Sequence, residues 1–151
     1  MLNNLKLRYS LISFLSLLTV LTLEAPVLGS YSQENKSFIK EELEFFWKED
    51  MAGFSIFLDR TETRLPKYKN YFEAAAKNLD VHWTLLAAIS YQESHWNPKA
   101  ISNTGVRGMM MLTQKTAKEM GINKRTDAED SIYGGANYFQ KIMNRLPIEI
   151  S

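Results

Sequence analysis

The residues with the greatest chemical potential in this chain lie together in Tyr91-Gln92-Glu93-Ser94-His95-Trp96-Asn97-Pro98. A run of helix formers, Thr84 to Ser90, leads into them. Leu85, Ile89 and Glu93 are spaced i, i+4, i+8, which predicts that they share one helix face. Leu86 widens the apolar stripe, so the spacing places an acid on the side expected to face the core. Pro98 disfavours helix at Asn97 and predicts a stop within a turn of Glu93. A carboxyl so placed loses water, which favours its neutral form. A neutral carboxylic acid near pH 7 is what general-acid catalysis requires. Spacing alone leaves a second reading open, and it is the commoner one: a glutamate that reaches the surface at a helix end.

Other candidate chemistry is weaker. His82 and His95 lie 13 residues apart with no acidic cluster joining them, which argues against a zinc site. Ser94 and His95 are sequence neighbours, which does not make a nucleophile–base pair, and no third member is evident. There is no cysteine, so disulfides, thiol catalysis and a lipidated N-terminal cysteine are excluded. Trp47, Trp83 and Trp96 read as core residues; Trp96, three residues past Glu93, is the one that also reads as a sugar platform. Met109-Met110-Met111 reads as a core and groove-lining plug rather than a metal ligand set.

The residues after Glu93-Ser94 sharpen the choice. Asn103-Thr104-Gly105-Val106-Arg107-Gly108-Met109-Met110-Met111-Leu112 is followed by Thr113-Gln114-Lys115-Thr116-Ala117. This resembles the lytic transglycosylases of the goose-lysozyme-like superfamily. In those proteins a helix ends in Glu-Ser, a Gly-x-x-Gly-Leu-Met-Gln-Leu-like loop follows, and a Thr-Ala helix comes next. The triple Met and Tyr-Gln-Glu-Ser-His-Trp look like one branch in particular, membrane-bound lytic murein transglycosylase F. The resemblance covers roughly residues 65 to 146.

The resemblance implies that Glu93 acts as acid and then as base. It would protonate the bond between N-acetylmuramic acid and N-acetylglucosamine, then take the proton of the muramoyl C6 hydroxyl as a 1,6-anhydro ring closes. Ser94 would orient Glu93 by hydrogen bonding, and Gly108, Met109, Met110 and Met111 would line the sugar groove. No metal and no other cofactor is implied. Most glycosidases use a second carboxylate, and none stands in a recognisable motif here. Two departures stand out. Met111 replaces the glutamine of many members, a substitution that the branch resembles in its own pattern. The family's later Ala-Tyr-Asn-x-Gly motif, and the helices after it, do not occur, so the chain reads as the truncated first half of a catalytic domain. The amino-terminal solute-binding-like domain of the branch has only a few dozen residues in its place.

The elements that must position these residues follow in chain order. The 151 residues suffice for one modest domain. Residues 1–30 read as a secretory signal peptide: Lys6 and Arg8 precede the apolar run Leu11 to Leu23, and small residues follow with Pro26. The run is short for a membrane span. An uncleaved anchor and a core helix are the competing readings, with cleavage expected near residues 28 to 32. Residues 31–64 read as a linker and an amphipathic helix over Phe38 to Trp47. Met51 to Leu58 reads as a loop or extended segment around Gly53, and Asp59 to Thr63 as a turn. Residues 65–151 read as the partial transglycosylase domain. There Pro66 opens a helix whose stripe is Tyr68, Tyr71, Phe72, Ala75, Ala76 and Leu79. Thr113 caps a helix that Gly121 ends. Asp127 or Ser131 starts a last helix with Ile132, Ala136, Phe139, Met143 and Leu146 on one face. Gly134 and Gly135 inside it predict a close approach. The fold class is all-α, lysozyme-like and incomplete.

Formal net charge is +1, and residues 31–151 hold 16 basic and 16 acidic residues. No electrostatic case for nucleic acid exists. Two functions from different classes fit: an exported lytic transglycosylase acting on peptidoglycan glycan strands, and a catalytically silent helical module that binds murein or a protein partner. A plain helical interaction protein is the weakest. The export signal points to the periplasm or cell envelope, and leaves peripheral or outer-membrane association open.

Overall fold

In a computed structural model, residues 41, 45, 47–77 and 79–146 are described. The expected signal segment, residues 1–30, lies outside them. Of the helix expected over Phe38 to Trp47, Glu41 and Phe45 are helical and Trp47 sits in a turn. Five α-helices follow: α1 Met51–Thr63, α2 Lys69–Ala76, α3 Trp83–Ser94, α4 Gln114–Glu119 and α5 Ala128–Met143. Among the described residues the only extended pairing is two isolated bridges, Ile101 with Arg107 and Arg107 with Leu112. The chain forms two compact units that divide after Glu62.

In the first unit, the stretch expected as loop and turn is helical throughout. A carboxylate oxygen of Asp50 accepts from the Gly53 amide at 2.8 Å, and so satisfies one of the amides a helix start leaves unpaired. Phe54, Phe57 and Thr61 then recur at helical spacing and are buried. Trp47 stacks on Phe54 and Phe57 with ring centroids 5.6 and 6.1 Å apart, a gain of about 0.5–1.5 kcal/mol per pair beyond burial. The polar run Asp59 to Thr63 extends this helix instead of ending it.

The second unit holds the other four helices. Pro66 lies in a separate 3-10 turn, Leu65–Lys67, and α2 starts only at Lys69. α2 is therefore shorter than its apolar stripe suggests. It packs on α3 and α5, and α5 also packs on α3 and α4. Phe72, Leu86, Ala87 and Ile132 are fully enclosed. Burying a side chain of the size of Phe72, Leu86 or Ile132 stabilises the fold by about 1.5–3 kcal/mol.

The caps explain the helix bounds. The His82 ring nitrogen accepts from Thr84 N at the start of α3. Thr113 Oγ1 accepts from Thr116 N at 2.9 Å at the start of α4, and Gly121 follows that helix at positive φ. Asp127 accepts from Asp130 N at 3.1 Å, so the aspartate and not Ser131 starts α5. Ile132 and Ala136 on α5 are buried, whereas Met143 at its end and Leu146, which lies beyond the helix, are exposed.

Candidate active site

α3 is enclosed on more than one side: Thr84, Leu86, Ala87, Ala88, Ser90, Tyr91 and Ser94 are all buried. The row expected to face the core, Leu85, Ile89 and Glu93, is the row left at its margin. Leu85 and Ile89 are half-buried and Glu93 is exposed. A central helix spends its most enclosed faces on neighbours, so the apolar stripe and the acid end up beside the core rather than in it. α3 then stops at Ser94, as Pro98 predicts. The stop uses two successive residues in the left-handed region, His95 at φ 52° and Trp96 at φ 55°. Arg64 donates to the His95 carbonyl at 3.0 Å and braces this turn. Trp96 is not a sugar platform. It is 1 % exposed, and its ring nitrogen donates to the Ala87 carbonyl at 2.8 Å.

Glu93 and Ile89 form one side of a groove of about 360 Å³. Met110, Met111, Leu112, Thr113 and Thr116 come from the loop and α4, and Gly135, Tyr138, Phe139 and Ile142 from α5. Glu93 is the one carboxylate among the described residues that line it. Although the residue is exposed as a whole, burial of its carboxyl against the groove wall pushes the pKa above the ordinary carboxylate range. Partial desolvation, not a neighbouring charge, is the cause. Among the described residues no group of His, Asp and Glu is placed to hold a metal ion.

The loop that faces Glu93 is held by its backbone. Ser90 Oγ and Ser94 Oγ both donate to the Met109 carbonyl, at 3.0 and 2.9 Å. Ser94 Oγ also lies 3.0 Å from the Ser90 carbonyl. Ser131 Oγ accepts from Met110 N at 3.2 Å. Arg125 donates to the carbonyls of Leu112 and Gly105 at 3.0 and 3.1 Å. Arg107 and Leu112 exchange backbone bonds at 3.2 and 3.0 Å and close the turn that carries the three methionines.

The expected site residues therefore separate into two layers. Glu93, Met110 and Met111 reach the groove. Ser94, Gly108 and Met109 do not line it. Ser94 is buried and its hydroxyl faces the Met109 carbonyl, so it ties the end of α3 to the loop instead of bonding the Glu93 carboxyl. Met109 is fully enclosed. Gly108 has φ +87°, and a Cβ there would lie 1.7 Å from the Arg125 carbonyl oxygen. Its role is to let the loop pass that carbonyl. The close approach expected at Gly135 also exists, but a loop side chain makes it: a Cβ on Gly135 would lie 2.5 Å from Met110 Cγ.

Sequence reasoning missed Ser90, Ser131, Arg125, Tyr138 and Phe139. Ser90 and Ser94 at i, i+4 carried a faint signal, two hydroxyls on one face of an otherwise apolar helix. The others carried none, because their partners lie far along the chain.

An all-helical domain with one desolvated acid at a helix end, beside an apolar groove, is of the lysozyme-like class. The family model described as "Transglycosylase SLT domain" matches residues 70–150. The chain belongs to this family. It is 57% identical over 101 residues to the membrane-bound lytic murein transglycosylase F of Saccharophagus degradans. Against the protein of the same name from Shewanella oneidensis the identity is 63% over 101 residues. Membrane-bound lytic murein transglycosylase F 1 of Alkalilimnicola ehrlichii is 52% identical over 101 residues. Each match takes in 67% of this chain and 20–21% of the relative. The chain thus spans about a fifth of the length of the curated relatives it matches.

Proposed function

We propose that this chain carries the acid-bearing part of a lytic transglycosylase that cleaves the bond between N-acetylmuramic acid and N-acetylglucosamine in peptidoglycan. One observation carries the reading: among the described residues that line its groove Glu93 is the single carboxylate, and desolvation favours its protonated form. Glu93 gives its proton to the leaving glycosidic oxygen as the bond from muramoyl C1 breaks. The muramoyl C6 hydroxyl then bonds to C1, and its proton goes to the Glu93 carboxylate. The acid is restored and a 1,6-anhydro sugar leaves. With no second carboxylate among the described groove residues to activate water, an intramolecular hydroxyl is the better acceptor.

The test is mass spectrometry of soluble products released from purified murein. Anhydro products are expected, with nearly all turnover lost in Glu93→Gln, which keeps the shape and removes the proton. Reducing-end products, or full activity in Glu93→Gln, would sink the mechanism. The rate itself is expected to be low. Tyr138 and Ile142 on the far wall are 37% and 42% exposed, so that side of the groove is open to water, and a loosely walled site loses rate steeply. Murein binding without turnover would favour the silent binding module.

The reading includes an organisation: an export signal over residues 1–30, a linker over 31–64 and the transglycosylase part over 65–151. The site of action is then the periplasm or cell envelope, with outer-membrane association as a further option. Among the described residues no helix is long and apolar enough to cross a membrane. N-terminal sequencing of protein from the envelope fraction checks the signal. A new terminus within residues 28 to 32 is expected, and an intact Met1 in soluble cytoplasm would refute it.

A further inference from the structure

The backbone that ends α3 is unfavourable on its own. His95 and Trp96 lie one after the other in the left-handed region, at φ 52° and 55°. A residue with a Cβ adopts that conformation at a cost and keeps it only where its surroundings hold it. Among the described non-glycine residues Met111 is the one other at positive φ, at 45°, and it lines the groove. Strain of this kind is thus gathered around Glu93.

The competing conformation is a longer helix. Pro98 disfavours helix at Asn97 but leaves His95 and Trp96 free to continue α3. Continuation would carry Trp96 out of its buried place and turn the His95 carbonyl in a new direction. Contacts within α3 and the turn oppose this. The Trp96 ring nitrogen bonds the Ala87 carbonyl, and the Tyr91 ring meets the rings of His95 and Trp96 at 5.0 and 4.7 Å. Arg64 opposes it from outside, since its Nη1 donates to the His95 carbonyl at 3.0 Å across 31 residues of sequence. The backbone that carries Arg64 is fixed. Leu65 beside it is buried, and Lys67 N donates to the Arg64 carbonyl at 3.1 Å. A guanidinium keeps its protons, so this bond persists across the pH range in which a carboxyl titrates.

We propose that Arg64 is a positioning residue for Glu93: by holding the His95 carbonyl it keeps the left-handed turn, and the turn keeps the Glu93 carboxyl against the groove wall. The catalytic consequence rests on the transglycosylase reading above. The positioning itself does not, because it can be read from the carboxyl directly.

The experiment follows the Glu93 carboxyl by carbon-13 NMR against pH in the full chain, with Glu93→Gln identifying its signal. Tyr138 is the other titratable side chain among the described residues lining the groove, and His95 the nearest on the turn itself. Arg64→Met is expected to lower the Glu93 midpoint by about half a pH unit or more, as the carboxyl regains water. Loss of a cation by itself would raise the midpoint, so the direction separates positioning from charge. Such a fall leaves about threefold less protonated acid at pH 7, and release of anhydro product is expected to fall in proportion. Arg64→Lys keeps a donor and should stay closer to the parent. Arg64→Gln, too short to span the same gap, should behave like Arg64→Met. His95→Gly supplies a residue at ease in the left-handed region. In that background Arg64→Met should move the midpoint less than in the parent. Circular dichroism of each variant confirms folding.

A midpoint that stays or rises in both Arg64→Met and Arg64→Gln overturns the positioning role and leaves the transglycosylase reading in place. A lower melting temperature with an unmoved midpoint does the same, because Arg64 would then serve the fold alone. An equal fall with and without His95→Gly shows that the turn is not what Arg64 holds, and also overturns the proposal. A parent Glu93 that titrates as an ordinary carboxylate overturns both readings.

Discussion

Glu93 owes its raised pKa to a partial loss of water. Its residue surface is open, yet its carboxyl rests against apolar wall, and the neutral form gains. The same shift has a stability consequence. A carboxyl whose folded pKa is raised leaves the fold unpenalised below the unfolded pKa, and the fold loses stability as pH rises through the folded value and the charge appears. Glu93→Gln is therefore expected to raise the melting temperature slightly at pH 7. The gain should vanish below about pH 4, where the glutamate is protonated in both states. It should be small, because the group is open enough for water to screen it. Melting curves across that pH range check both the sign and the window. The sequence singles out this residue as the candidate acid, but not its surroundings. Leu85, Ile89 and Glu93 do share a face, and periodicity cannot say whether a face meets the core or its margin when the helix is enclosed by several neighbours.

At the scale of elements, the groove loop and α3 behave as one piece. Met109 O is shared by Ser90 and Ser94, and Met110 N by Ser131. Gly108 is where this arrangement is least tolerant. Gly108→Ala combines a left-handed backbone, which disfavours a Cβ by about 1–2 kcal/mol, with a contact to the Arg125 carbonyl that no rotamer relieves. Urea denaturation is expected to show a loss of at least about 2 kcal/mol, and activity should fall with it. A variant as stable as the parent would show that the loop passes Arg125 differently. Element starts were readable where a side chain caps a nearby amide, as at Thr113 and Asp127. α1 was misread because Gly53 and the polar run Asp59 to Thr63 hide the row of Phe54, Phe57 and Thr61. The Ser131–Met110 bond joins residues 21 apart in the chain, and no local pattern encodes such a partner.

For the whole molecule, stability is expected to be modest. A small domain buries a limited share of its surface, and several large apolar side chains of the second unit stay open. Tyr138, Ile142, Met143 and Leu146 are 37–47% exposed, and Ile101 is 58% exposed. A calorimetric midpoint no higher than about 65 °C, the upper end for ordinary domains, is the expected outcome. Unfolding well above that would mean the exposed side chains are covered in solution. The all-α class was legible from the second unit, because the apolar residues of α2, α3 and α5 recur with the helical period. How far each helix runs, and which of its faces is enclosed, depends on neighbours that the period does not describe.

The serine bonds to Met109 O also bear on how such a site changes over generations. They grip main-chain atoms, which every residue type supplies in the same place. Exchanging the side chains at positions 110 and 111 would therefore leave the register between the end of α3 and the loop in place, while changing the apolar wall that desolvates Glu93. The groove wall and the frame that spaces it from Glu93 are thus separate parts of the structure. A change of side chain at the groove-lining Met111 is expected to cost the fold less than a change at Ser90, Ser94 or Gly108.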